Sequence, residues 1–356
     1  MVTIFKRKAP AFTSAGAVLL TCCLGHFAVD GACVLSVLSL YRFSGMDWEK
    51  VYRLIILYNI IAFGLQPLFG WFSDAFDYRL GAAAGLAAAG AGCALMQVSP
   101  LAAVVVLAIG NSLFHTGAGA QVFSVSGGRA GASGIFIAPG AIGLLAGGIL
   151  AKSTSFNPIY ALPVLLVFAA LFSFCPSTTA SDVPMARAAQ GREGWSFIAV
   201  MFLMIIVLSR SAVGYSMPAA WKGFRPLLFF AAAAFAGKSA GGALADRFGW
   251  RPVTAAMLLA AGGAAFFQQG SFAAACLAML FIQATTGVTL AATQSLFPRR
   301  PAFAFGLPSV AILIGAYPFL LRDPRIMAPP WMAAALCLVA AFSMLGIKRV
   351  KGAGII

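Results

Sequence analysis

The chain has 356 residues, of which 61% are hydrophobic and 9% are charged, and its formal net charge is +15 at pH 7. Ordinary globular domains are about 45–50% apolar and about 25% charged, so this composition excludes a soluble protein and predicts a polytopic membrane protein. The basic residues are spread over short loops without interleaved aromatic residues. This distribution favours charges that set the membrane topology over charges that bind nucleic acid.

The apolar runs predict twelve membrane-spanning helices, because one span needs about 20 apolar residues. The first run is too long for the apolar region of a signal peptide, so it is predicted to be the first helix. The predicted spans are residues 11–40, 49–74, 80–98, 101–126, 132–151, 158–175, 195–221, 226–245, 252–269, 272–297, 303–321 and 330–347. The seven cysteines fall within or at the end of these runs and have no CxxC spacing, which indicates small apolar side chains rather than disulfides or metal ligands.

The longest polar segment divides the chain into near-equal halves. It predicts an N-terminal six-helix bundle over residues 1–175, a cytoplasmic linker over 176–194 and a C-terminal six-helix bundle over 195–356. The loops are too short for a soluble catalytic domain, and no GxxxxGK[ST] loop is present, so neither an enzyme nor an ATP-driven pump is predicted. Lys and Arg are more frequent in the loops on the side of the N-terminus, which predicts that both termini are cytoplasmic.

A short motif occurs once in each half, after the second helix of that half. "GWFSDAFDYR" at 70–79 and "GALADRFGWR" at 242–251 share Gly, Asp, Phe and Arg at the same four places, with an aromatic residue before the Arg. The offset of 172 residues (242 − 70 = 172) is about half the chain. A duplicated six-helix unit explains this offset, and two such units form a common transporter architecture.

The second copy of the motif resembles the loop motif of the major facilitator superfamily, whereas the first departs from it, with Ala75 and Asp77 where Arg and Gly are usual. "LQPLFGWFSD", "GNSLFHTGAG" and "SGGRAGASGIF" resemble stretches of the fosmidomycin-resistance type of facilitator, as does the pair His26 and Asp30. The resemblance implies an all-α fold of twelve helices in two six-helix repeats. It also implies a cavity lined by the first, fourth, seventh and tenth helices, and the export of a drug or metabolite.

The two motifs are predicted to control the conformational change. Glycines permit close helix packing, and the aspartates can either face the N-terminus of a neighbouring helix or pair with a nearby arginine. Such contacts would hold one conformation and break in another, although ordinary solvated charges at a helix end are the alternative. The predicted gating residues are Gly70, Asp74, Arg79, Gly242, Asp246, Arg247 and Arg251.

Two polar pairs lie deep in predicted helices, where ionisable groups are costly. "GHFAVDGAC" at 25–33 places His26 and Asp30 four residues apart on one helical face, and Asn111 and His115 repeat this spacing in the fourth helix. Asp30, His26 and His115 are predicted to carry the coupling proton. The alternatives are a fixed structural pair for Asp30 and satisfied core positions for the histidines.

Arg210 and Lys238 are the only basic residues deep in predicted helices, and in the resembled fold Arg210 would face Asp30 across the cavity. Both suit an anionic group, and with neutral histidines the cavity carries a net charge of +1. The predicted substrate-binding residues are Asn111, His115, Arg210 and Lys238. For Lys238, a side chain that reaches toward the cytoplasmic surface is the alternative.

The fifth predicted helix, "GIFIAPGAIGLLAGGIL", resembles the glycine-proline antiporter signature of the superfamily. The matching residues are Pro139, Gly140, Gly143, Gly147 and Gly148, with the order Pro-Gly where the family tends to have Gly-Pro. Small residues and a proline allow close and bendable packing, for which generic helix packing is the alternative explanation.

The sequence therefore predicts a proton-coupled antiporter that exports a small anionic or zwitterionic compound. It is expected to be a monomer in a bacterial-type inner membrane, without a cofactor or a nucleic-acid partner. Proton-coupled uptake is one alternative, because the same site serves both directions. Divalent-metal transport through His26, Asp30 and His115 is a second, opposed by the nearby cations. A receptor or membrane enzyme is a third.

Overall fold

The structure is a computed structural model that describes residues 14–153, 155–183, 193–216, 221, 223–320 and 329–347. The ends of the two predicted bundles, at 1–13 and 348–356, and residues 184–192 of the predicted linker lie outside the described residues. The helices are α1 (Ala15–Ser44), α2 (Trp48–Gly64 and Gln66–Ser73), α3 (Tyr78–Leu95), α4 (Pro100–Ser126), α5 (Ala130–Lys152), α6 (Pro158–Phe172), α7 (Glu193–Tyr215), α8 (Phe224–Phe248), α9 (Trp250–Phe266), α10 (Phe272–Leu296), α11 (Pro301–Leu320) and α12 (Pro330–Gly346).

Twelve helical segments thus occupy the places of the twelve predicted spans, and the described residues contain no strand. Seven of these helices are individually long and apolar enough to cross a membrane, or eight if the two parts of α2 count as one span. Some ends differ from the prediction. The first helix continues four residues past its predicted end, until Gly45 adopts a left-handed conformation with φ 63° and stops it.

The second span is broken rather than continuous as predicted. A π-helical turn at Ile60–Gly64 precedes a bend of 40°. Pro67 explains the break, because it has no N–H to donate to the carbonyl of Phe63. That carbonyl instead accepts a hydrogen bond of 2.8 Å from the Ser309 hydroxyl on α11. The bend therefore joins the two halves of the chain.

Each half supplies most of the residues of one buried apolar cluster. The N-terminal cluster contains Tyr78, Phe114 and Phe123, and the C-terminal cluster contains Leu203 and Leu258. The halves meet mainly where α2 packs on α11 and α5 packs on α8. We call the end of the molecule that carries residues 70–79 and 242–251 the repeat-motif end.

Two glycines allow the backbones of the halves to touch at the repeat-motif end. Gly70 lies against the carbonyl group of Ala302 on α11, and Gly242 lies against that of Ala130 on α5. A side chain on either glycine would overlap backbone atoms. Both pairs are related by the offset of 172 residues, so the repeat in the sequence corresponds to a repeated contact in the fold.

Candidate functional site

Two histidines and an aspartate meet in the N-terminal half. His26 and Asp30 lie on α1, and His115 lies on α4. The Nε2 atoms of the two histidines are 3.0 Å apart. The Asp30 carboxylate lies 3.1 Å from His26 Nε2 and 3.5 Å from His115 Nε2. The side chains are 5% exposed for His26 and 13% for the other two, so the three groups face one another with little access to solvent.

Hydrogen-bond direction fixes which ring nitrogens carry hydrogen. His26 Nδ1 lies 2.9 Å from the Phe136 carbonyl oxygen, and His115 Nδ1 lies 2.8 Å from that of Asn111. A carbonyl only accepts, so both Nδ1 atoms must donate, and in the neutral rings both Nε2 atoms keep a lone pair. Three acceptors therefore converge, and their contacts require a proton or another cation between them. We call these two Nε2 atoms and the Asp30 carboxylate the acceptor cluster.

The Pro-Gly pair of α5 lets that helix approach the acceptor cluster. A Cβ atom on Gly140 would lie 2.5 Å from Asp30 Oδ2 and 2.6 Å from His26 Nε2, so a larger residue does not fit. Pro139 has no N–H for the carbonyl of Ile135 one turn earlier. The Cys23 thiol of α1 donates to that carbonyl at 3.4 Å.

The other predicted glycines of α5 serve close packing against α1. Gly143 lies against the Phe27 carbonyl, and Gly147 lies against that of Gly31. These residues fix how near the two helices approach. The structure thus gives the fifth-helix motif a local packing role, with Gly140 next to the ionisable groups.

The two deep cations come from the C-terminal half. Lys238 on α8 donates from Nζ to the Ile137 carbonyl at 3.4 Å and lies within electrostatic range of both Asp30 and Arg210. Arg210 on α7 is 5% exposed and donates to the Thr289 hydroxyl on α10 at 3.0 Å. In the described part of the chain Arg210 makes no ion pair, so the cation that acts on Asp30 is Lys238 rather than the predicted Arg210.

Asn111 is buried beside α1. Its amide donates to the Cys33 sulfur over 3.6 Å, while its carbonyl oxygen has no hydrogen-bond partner among the described residues. The Cys33 sulfur therefore accepts a hydrogen bond, a role beyond the small apolar side chain that the sequence analysis predicted. No motif or spacing indicated Thr289 as the partner of Arg210. The carbonyl groups of α5 could not be predicted either, because backbone acceptors leave no trace in residue identity.

The acceptor cluster also has the composition of a metal site. One ligand atom from each of His26, Asp30 and His115 lies within 4.8 Å of the others. In ordinary transition-metal sites a histidine donates its second N–H to a carbonyl, as both do here. The positive charge of nearby Lys238 opposes a divalent cation, as the sequence analysis expected for the cavity cations.

The first motif aspartate closes a contact between the halves. Asp74, at the end of α2, accepts hydrogen bonds from the backbone N–H groups of Ala302 at 2.9 Å and Phe303 at 3.1 Å. The Tyr78 hydroxyl donates to the same carboxylate at 2.8 Å. Asp74 thus satisfies the free N–H groups at the start of α11, where the helix dipole also favours negative charge.

The second motif aspartate repeats this arrangement at the offset of 172 residues. Asp246 accepts from the N–H groups of Ala130 at 3.1 Å and Gly131 at 2.8 Å, at the start of α5. Trp250 Nε1 donates to it at 2.9 Å, in the place of Tyr78. The aromatic residue before each motif arginine therefore orients the aspartate, a role that the sequence analysis missed.

The three motif arginines lie elsewhere. Arg79 pairs with Asp77 at 3.0 Å and donates to the Cys175 carbonyl at 3.1 Å. Arg251 donates to the Leu345 carbonyl, and Arg247 stacks on Phe248 with 5.2 Å between guanidinium carbon and ring centre. Of the two arrangements open to the aspartates, the structure has the helix N-terminus and not the arginine pair.

Comparisons with known proteins define the fold. No family model and no curated protein matches the sequence. The fucose:proton symporter FucP of E. coli is 15% identical, with a TM-score of 0.68 over 94% of this chain and 100% of its own. FucP in its outward conformation gives the same TM-score at 14% identity, over 93% of this chain and 98% of its own.

Two further transporter structures are similar to about the same degree. The proton:xylose symporter XylE is 15% identical, with a TM-score of 0.67 over 96% of this chain and 97% of its own. The human organic anion transporter MFSD10 is 15% identical, with a TM-score of 0.66 over 92% and 98%. This integral membrane protein therefore has the twelve-helix fold of major facilitator superfamily transporters.

Proposed function

We propose that this protein is a proton-coupled secondary active transporter for a small organic anion or zwitterion. One observation carries the proposal: His26 of the acceptor cluster and Lys238 of the C-terminal half hydrogen bond to consecutive carbonyls of α5, those of Phe136 and Ile137, so the two groups lie close together between the halves. In a fold of two halves, such a site between them can open to either side of the membrane in turn.

The acceptor cluster suits a proton. Three acceptors converge, and a proton on His26 Nε2 would turn the two shortest contacts, of 3.0 and 3.1 Å, into favourable interactions. Asp30 supplies the negative charge that holds this proton, and His115 supplies a second acceptor to which it can move.

Arg210 and Lys238 suit the substrate. Their hydrogen-bond partners are a hydroxyl and a carbonyl, both neutral, and a buried cation such as Arg210, which makes no ion pair among the described residues, is costly without a counterion. A guanidinium can bind a carboxylate or phosphonate through two parallel hydrogen bonds, whereas an ammonium acts as a point charge. We propose that Asn111 and His115 border the same substrate site.

The two aspartate contacts provide the conformational control. We propose that Asp74 and Asp246 hold the halves together at the repeat-motif end, which the predicted orientation places in the cytoplasm. The site would then open outward, and loss of both contacts would accompany opening to the cytoplasm. Similarity to FucP in its outward conformation supports this assignment.

The transport mode distinguishes two versions of the proposal. Export by antiport is what the resemblance to the fosmidomycin-resistance type implies. Uptake by cotransport uses the same residues, and two structures of the same fold, FucP and XylE, are described as proton symporters. Divalent-metal transport is the second candidate function, favoured by the ligand spacing of the acceptor cluster.

A ligand-stabilisation screen tests the proposal. Purified protein is melted with benzoate, phenylphosphonate or zinc chloride at pH 6 and pH 8, because a ligand that binds the folded state raises its apparent stability. We expect an anion to stabilise the wild type, and Arg210→Gln or Lys238→Gln to abolish the effect. Lys152→Gln, at the exposed end of α5, is the matched control and should respond like the wild type.

Stabilisation by zinc alone, lost in His26→Ala and His115→Ala, would replace the anion transporter with a metal transporter. No stabilisation by either anion would contradict the proposed substrate class. A flux assay in proteoliposomes with a binding anion then tests transport itself, and a protein that binds but does not move the anion would be a receptor.

A further inference from the structure

We infer that the proton and the anion promote each other's binding, and that Lys238 is the residue that links their sites. This inference rests on the proposed function and adds the sign of the coupling. It favours cotransport over the antiport that the sequence resemblance implies.

The two sites belong to different halves and share one wall. The groups of the acceptor cluster lie on α1 and α4, whereas Arg210 and Lys238 lie on α7 and α8. The wall is α5, where consecutive carbonyls accept from opposite halves: that of Phe136 accepts from His26 at 2.9 Å, and that of Ile137 accepts from Lys238 at 3.4 Å.

Charge determines how occupancy of one site affects the other. Without a proton, the acceptor cluster is negative and partly compensates the charge of Lys238, which lies within its electrostatic range. A bound proton neutralises the acceptor cluster and leaves Lys238 without that compensation, so an anion binds more tightly. Linkage is reciprocal, so an anion beside Lys238 must favour the proton by the same factor.

The other groups near Asp30 do not change this sign. Around it lie His26, His115, Cys33, Tyr58 and Lys238, with Arg210 interacting with Lys238. A thiol and a phenol carry no charge near neutral pH at their ordinary pKa values. The histidines belong to the acceptor cluster itself, and both remaining charges are positive. No second carboxylate among the described residues near Asp30 competes for the proton.

Antiport would require the opposite sign. A proton and a substrate exclude each other when they need the same group, or when like charges repel. Here the proton binds lone pairs of the N-terminal half and the charge of the anion is bound by cations of the C-terminal half, so the two ligands do not need the same group even though His115 borders the anion site. Their charges are opposite, so joint occupancy is the favoured state.

Calorimetric titration of the full-length protein with benzoate measures the coupling directly. The titration is repeated in buffers of different ionisation heat, which gives the number of protons exchanged per anion. Benzoate stays anionic from pH 6 to pH 8, and phenylphosphonate, corrected for its own ionisation, replaces it if only the phosphonate stabilises the protein. We expect net proton uptake of up to about one per anion, and an affinity that falls by up to about tenfold per pH unit as pH rises.

Two variants and a control distinguish the linking role of Lys238 from the proton site and the anion site themselves. Asp30→Asn should bind benzoate with no proton exchange and little dependence on pH. Lys238→Gln should bind more weakly, and its remaining binding should exchange fewer protons. Lys152→Gln should match the wild type. The proton count of the wild type alone decides the sign, so the inference stays testable even if a variant fails to fold.

The outcomes are distinct. Proton release on binding would overturn the inference and leave the proposed transporter as an antiporter. Binding without proton exchange would overturn the inference and remove coupling at this site. If neither anion binds at either pH, the proposed anion function itself fails, and the inference fails with it.

Discussion

Gly140 is the residue on which the approach of α5 to the acceptor cluster depends. Its missing side chain leaves room for Asp30 and His26, and a Cβ atom would lie 2.5 and 2.6 Å from their polar atoms. We therefore expect Gly140→Ala to push α5 away from α1, to cost about 1–3 kcal/mol of stability and to abolish proton-coupled flux. Thermal unfolding and proteoliposome transport measure the two effects.

A glycine about two turns later on α5 supplies a matched control. Gly148 lies on the same helix, and the nearest atom to a Cβ there is Val34 Cγ1 at 4.0 Å. Gly148→Ala should keep both stability and pH-dependent transport. Equal loss in both variants would mean that α5 tolerates no added methyl group anywhere, and that Gly140 has no special relation to the acceptor cluster.

Thr289 orients Arg210, so a substitution of Thr289 provides the second test at the scale of single residues. Its hydroxyl is the hydrogen-bond partner of that guanidinium, and a hydrogen bond to a charged group contributes about 1.5–3 kcal/mol. Thr289→Val keeps the shape and removes the acceptor, so we expect anion affinity to fall about tenfold or more with the proton count unchanged. Thr293→Val, one turn later, removes a hydroxyl that bonds only backbone and should bind anion normally. Unchanged affinity in Thr289→Val would remove it as a positioning residue.

At the scale of elements, the starts of α5 and α11 are held by aspartates from the opposite half. Each carboxylate accepts hydrogen bonds from two backbone N–H groups, one on each oxygen. Asp74→Asn and Asp246→Asn each replace one of these oxygens with an NH₂ group, which cannot accept from the N–H that it faces. Loss of a helix N-cap costs about 0.5–2 kcal/mol, enough to shift a balanced pair of conformations severalfold. We expect faster hydrogen exchange at residues 130–137 and 301–309, with the double variant shifted most.

A cap within one half controls for helix capping as such. Asp47 begins α2 on the exposed surface and accepts from the N–H of Lys50 at 2.9 Å. Asp47→Asn keeps an oxygen that can cap the helix and makes no contact with the other half. Hydrogen exchange at residues 130–137 and 301–309 should therefore not change. If it rises as in the motif variants, general destabilisation explains the effect and the proposed gate does not.

The sequence predicted the helices and the faces of their polar residues better than it predicted breaks in the helices and contacts of the backbone. The spacing of His26 and Asp30 placed both on one helical face, and the motif repeat placed Asp74 and Asp246 in equivalent positions, because side-chain periodicity and identity carry that information. The break in α2 was missed although Pro67 is visible, since its effect depends on Ser309 from the other half to satisfy the freed carbonyl. The contacts of α5 with His26 and Lys238 use backbone carbonyls, which have no residue signature.

At the scale of the whole molecule, coupling and movement are separate properties. In the proposed mechanism, the halves move as the contacts of Asp74 and Asp246 break and reform, whereas coupling depends on a proton that the acceptor cluster takes up. Asp30→Asn removes the charge that holds this proton and leaves the contacts of Asp74 and Asp246 between the halves intact. The variant is therefore expected to exchange benzoate across a proteoliposome membrane at a rate near that of the wild type, yet to lose all accumulation driven by a pH gradient.

Glu49→Gln is the control for that experiment, because it removes a carboxylate from an exposed pair with Arg53 on α2. Exposed pairs contribute little, so it should accumulate benzoate like the wild type. If Asp30→Asn still accumulates benzoate along a pH gradient, the proton must enter by another group, and the acceptor cluster would then be a structural core of the N-terminal half. If Asp30→Asn loses exchange as well, Asp30 is needed for the movement of the halves itself. Its negative charge would then hold the cavity wall between α1, α4 and α5 in place.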